Sequence, residues 1–397
     1  MTRRHIVLIA YMFPPDNYVG ALRPARFAKY LRRLGHEVTV VAAGQHMEPA
    51  IEQGYVHRTR GDSEDYAPTV TEKIARKVLG SYSWGAEWVF RAGAYTRGLV
   101  TSSSVVLSTA PPIATHVLGA YFKSRLHCRW IADCRDPLFD GRKGLSARVA
   151  KRAEAFLLGY ADIVIANTDA VADSWKGQYP QYRQKVVVLG NGFDPEERLE
   201  PKPIPLRSFR VLTHVGSLYG TRSPDCLLRG LRALVESGLV SPGSLRLRLV
   251  GPFEDGVTRI PETVAMLEEC GGLEVVRTKL PLSEAHDLMA TSDYLVLIDL
   301  LEGPTAGLHV PAKLFEYVQV GRPILLCALP DAAVSRVLAM SGIPHVIMHP
   351  GDSVLELQAK LVSFLALPPV SSSLRAEFET ACSAEKQVSR LVALIEE

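Results

Sequence analysis

Two glycine-containing segments in the second half of the chain carry the residues best suited to binding a nucleoside diphosphate. The first runs from His214 to Arg222, follows a predicted strand and contains Gly216 and Gly220. Glycines let a backbone approach a phosphate closely, and the guanidinium of Arg222 can donate two parallel hydrogen bonds to it. Alone, a loop of this composition would be weak evidence.

The second segment, Glu302–Tyr317, leads into a predicted helix over residues 311–320. The free N–H groups and positive dipole end of a helix N-terminus favour an anion there. Lys313 stands in the predicted first turn, and Glu316 lies on the same face, where its carboxylate could accept hydrogen bonds from a ribose. A surface helix without a ligand is the alternative, but two such segments in one predicted domain favour a nucleoside diphosphate site.

In the first half of the chain, charged residues stand at the end of a predicted buried strand, Arg129–Asp133. They are Asp133, Arg135 and Asp136, and ligands of open α/β sheets bind at this end of the strands. We expect them to contact a bound ligand, with an Arg–Asp pair that only fixes the loop as the alternative. Of the histidines near the predicted ligand-binding loops, His309 is retained as a candidate ligand contact.

The order of the predicted elements is typical of a doubly wound α/β fold. Short apolar runs, as expected for parallel strands buried on both faces, alternate with segments of helical spacing and glycine turns. The predicted strands are His5–Ala10, His36–Ala42, Ser104–Ser108, Arg129–Asp133, Ile163–Ala166, Val186–Leu189, Arg210–Val215, Leu245–Val250, Leu273–Val276, Tyr294–Ile298, Pro323–Leu326 and His345–Ile347.

A proline-rich polar segment, residues 197–209, interrupts this alternation and is typical of a linker. The sequence therefore predicts two Rossmann-like domains of similar size, residues 1–204 and 205–372. Residues 373–397 form a last predicted helix with no strand after it, and we expect that helix to pack back on the N-terminal domain.

The composition excludes several classes of protein. The 397 residues include 45 Lys+Arg and 42 Asp+Glu, and a net charge of +3 gives no reason to expect nucleic acid as a partner. Six cysteines without a C-x-x-C pair favour reduced thiols over a disulfide framework or a zinc site. No apolar run approaches the roughly 20 residues of a transmembrane helix, and the start shows no signal-peptide pattern, so a cytoplasmic protein is expected.

The charge is unevenly distributed along the chain. Residues 1–200 hold 27 Lys+Arg and 20 Asp+Glu, a balance of +7, which either attracts an anionic partner or reflects uneven surface composition. Residues 71–100 combine five aromatic residues with interleaved Arg and Lys. This stretch is either an interfacial helix at a lipid surface or a helical insertion that covers the sheet, and we favour the insertion.

Several short motifs are spread over nearly the whole chain. They are Tyr11–Pro15 with Gly20 and Arg23, Ala28–Leu31, Gly35–Val38, Ala110–Pro112, Asp133–Pro137, Asn167, Asn191–Asp194, Val310–Tyr317 and Gly321–Ile324. With these motifs the chain resembles the GT-B glycosyltransferases, and specifically the retaining family 4 group. The C-terminal Val-Pro-x-Lys-x-x-Glu-Tyr pattern is the most specific of them.

The resemblance implies two Rossmann-like domains that face a cleft, with a nucleotide sugar bound by the C-terminal domain. Arg222 takes the place of the family's diphosphate-binding lysine, and Glu316 matches the second glutamate of a paired-glutamate motif that holds the ribose. Gly20 matches an N-terminal loop that closes over the diphosphate. Gly216 belongs to the loop that approaches the nucleotide.

The chain departs from the family pattern at two positions. The first glutamate of the pair, which normally contacts the donor sugar, falls on Leu308, and the usual arginine after the strand's glycine is Ser217. A Val-Pro-x-Lys subgroup shows similar departures, and Lys313 is expected to replace the lost positive charge.

The resemblance therefore implies transfer of a sugar from a nucleoside diphosphate sugar to an acceptor hydroxyl with retention of configuration. Catalytic roles are expected for Arg222, Lys313 and Asp133. Asp133, Arg135 and Asp136 are expected to orient the acceptor or to contact sugar hydroxyls, and His309 is a candidate sugar or phosphate contact. No cofactor and no essential metal are expected, since no Asp-x-Asp pair is well placed to bind one. The expected acceptor is lipid-linked or a glycan of an envelope polysaccharide, with the protein peripheral on the inner face of a membrane. A natural-product glycosyltransferase, a sugar-nucleotide epimerase and a binding module without activity remain as alternatives.

Overall fold

The chain divides into two compact units. The computed structural model describes residues 3–16, 19–44, 50–61, 73, 85–139, 141 and 143–396. The first unit comprises residues 1–191 and Ala384–Glu397, and the second comprises Gly192–Ser383.

The first unit is built around an eight-stranded sheet with the order β3-β4-β2-β1-β5-β6-β7-β8. Every strand pairing is parallel except that of β3 with β4. In chain order its elements are β1 (His5–Ala10), α1 (Val19–Arg33), β2 (Glu37–Gly44), β3 (Ala50–Glu52), β4 (Val56–Arg60), α2 (Trp88–Tyr95), β5 (Val105–Ala110), α3 (Ala114–Leu126), β6 (Arg129–Cys134), α4 (Leu145–Tyr160), β7 (Ile163–Ala166), α5 (Asp169–Gln178) and β8 (Val186–Val188).

The second unit contains a six-stranded, wholly parallel sheet with the order β11-β10-β9-β12-β13-β14. Its elements are β9 (Arg210–Val215), α6 (Asp225–Glu236), β10 (Leu245–Val250), α7 (Pro261–Glu269), β11 (Leu273–Val276), α8 (Leu282–Ala290), β12 (Tyr294–Ile298), α9 (Lys313–Val320), β13 (Ile324–Cys327), α10 (Ala333–Ser341), β14 (His345–Met348), α11 (Val354–Leu365) and α12 (Ala376–Cys382). The strand order reverses between β9 and β12, which is where open α/β sheets bind ligands.

The chain returns to the first unit in its last helix, α13 (Ala384–Glu396). Val388, Leu391, Val392 and Ile395 of this helix are buried in the core formed by α1 and strands β1, β2 and β5. Residues 373–397 thus hold two helices rather than the single predicted one, because Ser383 between them is extended. Only the second helix packs on the first unit.

The boundary between the units lies at residue 191, before the predicted linker. The proline-rich segment belongs to the second unit and is fixed there: the Lys202 N–H donates to the Ala290 carbonyl (3.1 Å), and Arg207 forms a 2.6 Å ion pair with Asp293. A polar, proline-rich composition indicates an irregular segment, but here the segment is docked rather than free.

The aromatic stretch is described only in part. Tyr82, Trp84, Arg76 and Lys77 lie outside the described residues. Within α2, Trp88 is fully buried with its ring 5.3 Å from that of Tyr11, while Phe90 is 73% exposed. None of the helices among the described residues is long and apolar enough to span a membrane.

Candidate nucleotide-sugar site

The loop after β9 is held in place by the neighbouring strand β10. The Gly216 N–H donates to the Val250 carbonyl (2.8 Å), and the Leu218 N–H donates to the Pro252 carbonyl (3.0 Å). A Cβ on Gly251 would lie 2.4 Å from the Gly216 carbonyl oxygen, and Gly251 has a φ of +135°. Glycine is therefore required at position 251 for the two backbones to approach, a requirement that the sequence analysis did not identify.

Arg222 ends this loop with its guanidinium over the ring of Tyr219, 5.1 Å from the ring centroid. Its Nε is buried and has no hydrogen-bond partner among the described residues. A buried N–H without a partner is costly, so this group is suited to a ligand that brings an acceptor.

The start of α9 presents Lys313 and Glu316 together. The Lys313 Nζ lies 2.6 Å from a Glu316 carboxylate oxygen, and the His286 Nε2 lies 3.6 Å from the same oxygen. Burial raises the pKa of Glu316, but the contacts with His286 and Lys313 outweigh it and lower the pKa below its ordinary value. The carboxylate is thus ionised at neutral pH and able to accept hydroxyl hydrogen bonds. Lys313 begins the helix itself, two residues after the predicted start.

Tyr317 joins the two segments. Its hydroxyl accepts a 2.7 Å hydrogen bond from the Val215 N–H, so that α9 is tied to the last residue of β9. Tyr317 is fully buried. The sequence analysis treated this tyrosine as part of a motif and missed its positioning role.

His214, the residue before Val215, is buried beneath the same loop. Its Nδ1 lies 3.0 Å from the Val296 carbonyl oxygen, while its Nε2 has no partner among the described residues. Burial, together with the charges of Arg222 and Lys313, lowers the pKa of His214 to about 4. The ring is neutral at physiological pH, and its electrostatic interaction with both cations shows that the loop and α9 converge.

Asp299 directly follows β12 and is 1% exposed. Within the described part of the chain, neither of its carboxylate oxygens has a partner in hydrogen-bond geometry. Burial raises the pKa of Asp299 above its ordinary value, and a hydrogen-bond contribution from the neighbouring Leu300 N–H and the charges of Arg222 and His309 offset this only in part. Sequence reasoning missed this residue, since one Asp after an apolar run gives no distinctive pattern.

The remaining predicted residues of the second unit belong to the same region. His309 is close enough to interact electrostatically with Asp299. Leu308 and Ser217 are half-buried, and the Leu308 N–H donates to the Thr305 carbonyl (3.2 Å) within the loop before α9. Electrostatic interactions thus connect Arg222 and Lys313 with His214, and Arg222 and His309 with Asp299, while Lys313 pairs with Glu316. That these residues and Gly216 form a nucleotide site stays a prediction.

Asp133 differs from its prediction. It lies inside β6 rather than after it, and its carboxylate is fully buried. Arg23 binds it through two hydrogen bonds, Nε to Oδ2 (2.9 Å) and Nη2 to Oδ1 (2.7 Å), and Thr109 donates to Oδ2 (2.8 Å). The expectation that this side chain projects from the strand end is wrong, because Arg23, 110 residues earlier, satisfies it inside the unit.

Arg135 binds backbone carbonyls of two segments. Its guanidinium donates to the carbonyls of Gly20 (3.0 Å), Ala110 (3.0 Å) and Pro111 (2.9 Å), and burial lowers its pKa. These contacts fix loops rather than present a free cation, as in the alternative interpretation, and Arg135 also interacts electrostatically with Asp133 and with the half-buried Asp136. Gly20 itself lies in the first turn of α1, not in a loop as predicted.

The comparisons with known proteins begin with the family. Residues 24–197 match the sequence model described as Glycosyltransferase Family 4. A D-inositol 3-phosphate glycosyltransferase of Actinosynnema mirum is 35% identical over 140 residues, 31% of this chain and 32% of the relative. The matched stretch thus spans about a third of that relative's length.

Solved structures resemble the chain over its whole length. The N-terminal domain of a Candida albicans trehalose-6-phosphate phosphatase has a TM-score of 0.70 at 10% identity and covers 100% of this chain and 97% of its own. Anabaena HepE, solved with UDP and glucose, has a TM-score of 0.65 at 15% identity, with coverage of 99% and 100%. The chain has the GT-B fold and is similar to glycosyltransferase family 4 over residues 24–197. That family match ends near the start of the second unit, so a nucleotide site in the second unit stays a prediction that its geometry supports.

Proposed function

We propose that this protein is a glycosyltransferase that moves a sugar from a nucleoside diphosphate sugar to an acceptor hydroxyl with retention of configuration. The observation that supports it best is the convergence of Arg222, Lys313 and Glu316 where the strand order reverses between β9 and β12. Anabaena HepE, of the same fold, is described in complex with UDP and glucose.

The chemistry requires stabilisation of the leaving diphosphate. The bond from the anomeric carbon to the diphosphate oxygen breaks, a bond to the acceptor oxygen forms, and the acceptor proton leaves with the diphosphate. Negative charge grows on the leaving oxygen, and fixed cations that face it lower the barrier. Arg222, Lys313 and the start of α9 supply this charge, while Glu316 holds the ribose. These residues require no metal for that role.

The nucleotide site is tested with Arg222→Ala and Lys313→Ala. We expect each variant to lose at least 10-fold in affinity for UDP or GDP, measured by calorimetry, and to lose transfer to a panel of acceptors. Arg232→Ala is the matched control, since Arg232 pairs with Glu236 on α6 and donates to the Thr263 hydroxyl (3.4 Å) on α7, neither of which is a proposed site residue. Unchanged nucleotide affinity and unchanged transfer in both site variants would show that Arg222 and Lys313 do not form the nucleotide site. The configuration of the product is read from the anomeric proton coupling in NMR.

For the acceptor we propose a lipid-linked or envelope glycan at the inner face of a membrane. The support is the +7 balance of residues 1–200 together with the exposed Phe90 in α2, beside Arg91. Basic residues bind anionic lipid headgroups, and this electrostatic binding weakens as salt screens the charges. Co-sedimentation with phosphatidylglycerol vesicles at low salt, lost at high salt and absent with phosphatidylcholine, is expected. If the protein does not bind phosphatidylglycerol vesicles at low salt, the proposed membrane association is wrong, and a soluble natural-product acceptor is favoured.

Incubation with UDP-sugars alone separates the proposed transferase from an epimerase. An epimerase converts the sugar nucleotide without any acceptor, whereas a transferase needs the acceptor. Nucleotide binding without turnover on any acceptor would instead indicate a binding module.

A further inference from the structure

Unpaired buried polar atoms occur at several places in the second unit, and four of them belong to three residues of which Arg222 interacts electrostatically with the other two. Among the described residues, the His214 Nε2, the Arg222 Nε and both carboxylate oxygens of Asp299 are buried without a hydrogen-bond partner. The three residues lie at or just after the ends of β9 and β12, adjacent parallel strands whose carboxyl ends meet at the reversal of strand order. Buried polar groups are almost always paired, so such a group indicates a place that a ligand completes.

Asp299 is the least expected member of this group. The other buried aspartate near β12, Asp293, is satisfied: it accepts from Arg207 (2.6 Å) and from the Val211 N–H (2.8 Å). Asp299 is more buried than Asp293 yet lacks such donors. An unpaired buried carboxylate destabilises the fold, and a position serving only stability would be better filled by an apolar residue.

The chemistry of the carboxylate identifies the donors it needs. The oxygens of a carboxylate accept hydrogen bonds, and a diphosphate likewise offers acceptors and negative charge, so the diphosphate is the less suitable partner for Asp299. The neighbouring Arg222 and Lys313 suit the diphosphate. A sugar nucleotide has two parts with several O–H donors, the ribose and the transferred sugar. Because the ribose is placed at Glu316, the transferred sugar is the part that remains for Asp299.

We infer that Asp299 accepts hydrogen bonds from hydroxyl groups of the donor sugar and thereby determines which sugar is transferred. This inference rests on the proposed function. Leu308 in the loop before α9 has an apolar side chain and cannot accept such bonds, whereas Asp299 carries two acceptor oxygens without a hydrogen-bond partner among the described residues.

The inference is tested by comparing a nucleotide with its sugar nucleotide. Calorimetry of Asp299→Asn and Asp299→Ala uses UDP against UDP-glucose and GDP against GDP-mannose. For the pair that the unaltered protein binds, we expect the affinity for the sugar nucleotide to fall at least 10-fold in Asp299→Ala and less in Asp299→Asn, which keeps one acceptor oxygen. The affinity for the nucleotide alone should stay within 3-fold. If UDP is the nucleotide, the ratio of the affinities for UDP-glucose and UDP-galactose should also move closer to one in the Asp299 variants.

Asp293→Asn is the matched control, because it alters a paired buried aspartate of the same unit. It should lower the melting temperature without changing the ratio of the two affinities, whereas Asp299→Asn should leave the melting temperature unchanged or raise it. If the Asp299 variants change the affinities for nucleotide and sugar nucleotide equally, Asp299 only balances the charge of Arg222. If neither affinity changes, Asp299 is not part of the site. If the unaltered protein binds none of the four probes, the proposed function itself fails.

Discussion

The hydroxyl of Tyr317 accepts the backbone N–H of Val215 across a sequence separation of 102 residues, at 2.7 Å. This bond connects helix α9, which carries Lys313 and Glu316, to the loop that carries Arg222. The relative position of the three site residues therefore depends on a side chain that contacts no proposed ligand.

Tyr317→Phe is expected to weaken nucleotide binding without touching the ligand. The change leaves the buried Val215 N–H without its acceptor, which costs about 1–3 kcal/mol. We expect the unit to lose stability by that amount and UDP or GDP to bind several-fold more weakly. Tyr294→Phe is the control, since its hydroxyl bonds to the Leu367 carbonyl (3.0 Å) away from the site, and it should cost stability alone. Equal nucleotide affinity in the two variants would contradict the positioning role.

Lys313→Met is expected to raise the pKa of Glu316 and to change how stability depends on pH. A carboxylate whose pKa is lowered in the folded state stabilises the fold above its unfolded pKa, 4.5 for Glu, and this contribution disappears as the pH falls through the lowered folded value. The unaltered protein should thus be more stable than the variant at pH 7, by about 1 kcal/mol or less, and the difference should shrink toward pH 4. Urea unfolding followed by circular dichroism at each pH measures it. A difference that grows on acidification would have the wrong sign.

Gly251→Ala is expected to displace the loop after β9. The new Cβ would meet the Gly216 carbonyl oxygen at 2.4 Å, and the residue would keep an unfavourable φ of +135°, so we expect a loss of about 2–4 kcal/mol. Gly256→Ala, at φ +78° with no atom within 4 Å of the new Cβ, isolates the backbone contribution of about 1–2 kcal/mol. Nucleotide affinity should fall only for Gly251→Ala. If Gly251→Ala and Gly256→Ala lose comparable stability, the loop tolerates the close approach of the new Cβ to the Gly216 carbonyl oxygen.

Asp133→Asn is expected to destabilise the first unit by about 3–5 kcal/mol, because it leaves the buried Arg23 without its counter-charge. All four tryptophans precede residue 192, so tryptophan fluorescence during urea unfolding reports on this unit. Glu37→Gln, which removes an exposed pair with Arg3, should change stability by no more than about 1 kcal/mol. A folded variant of unaltered stability that has lost transfer would restore the catalytic role first expected for Asp133.

The fold could be predicted from the sequence largely because its strands are buried on both faces. Strands such as Ile163–Ala166 and Tyr294–Ile298 were predicted to the residue, since such strands are continuous apolar runs. Strand β4 was missed because it contains Arg58 and other polar residues. Arg58 is nonetheless buried, as it donates to Glu52 (2.7 Å) and to the Ala43 carbonyl (2.7 Å). Apolar patterning cannot reveal a charged residue that is buried through its partners.

The candidate site was predictable only where its residues are close in sequence. The three-residue spacing of Lys313 and Glu316 gave their contact directly. The environment of Asp299 and the pair of Arg23 with Asp133 depend on residues far apart in the chain, and a single sequence does not reveal such contacts. For the same reason Asp133 was taken for a ligand-binding residue and Asp299 was overlooked.

The return of α13 to the first unit has a consequence for biosynthesis. Strands β1 to β8 leave the ribosome first, but Leu391 and Ile395, which fill part of their core, are translated only after the whole of Gly192–Ser383. During translation the nascent first unit exposes the apolar surface that α13 later covers, a surface of the kind that chaperones bind. The unit whose synthesis begins first is therefore the one whose folding is completed last.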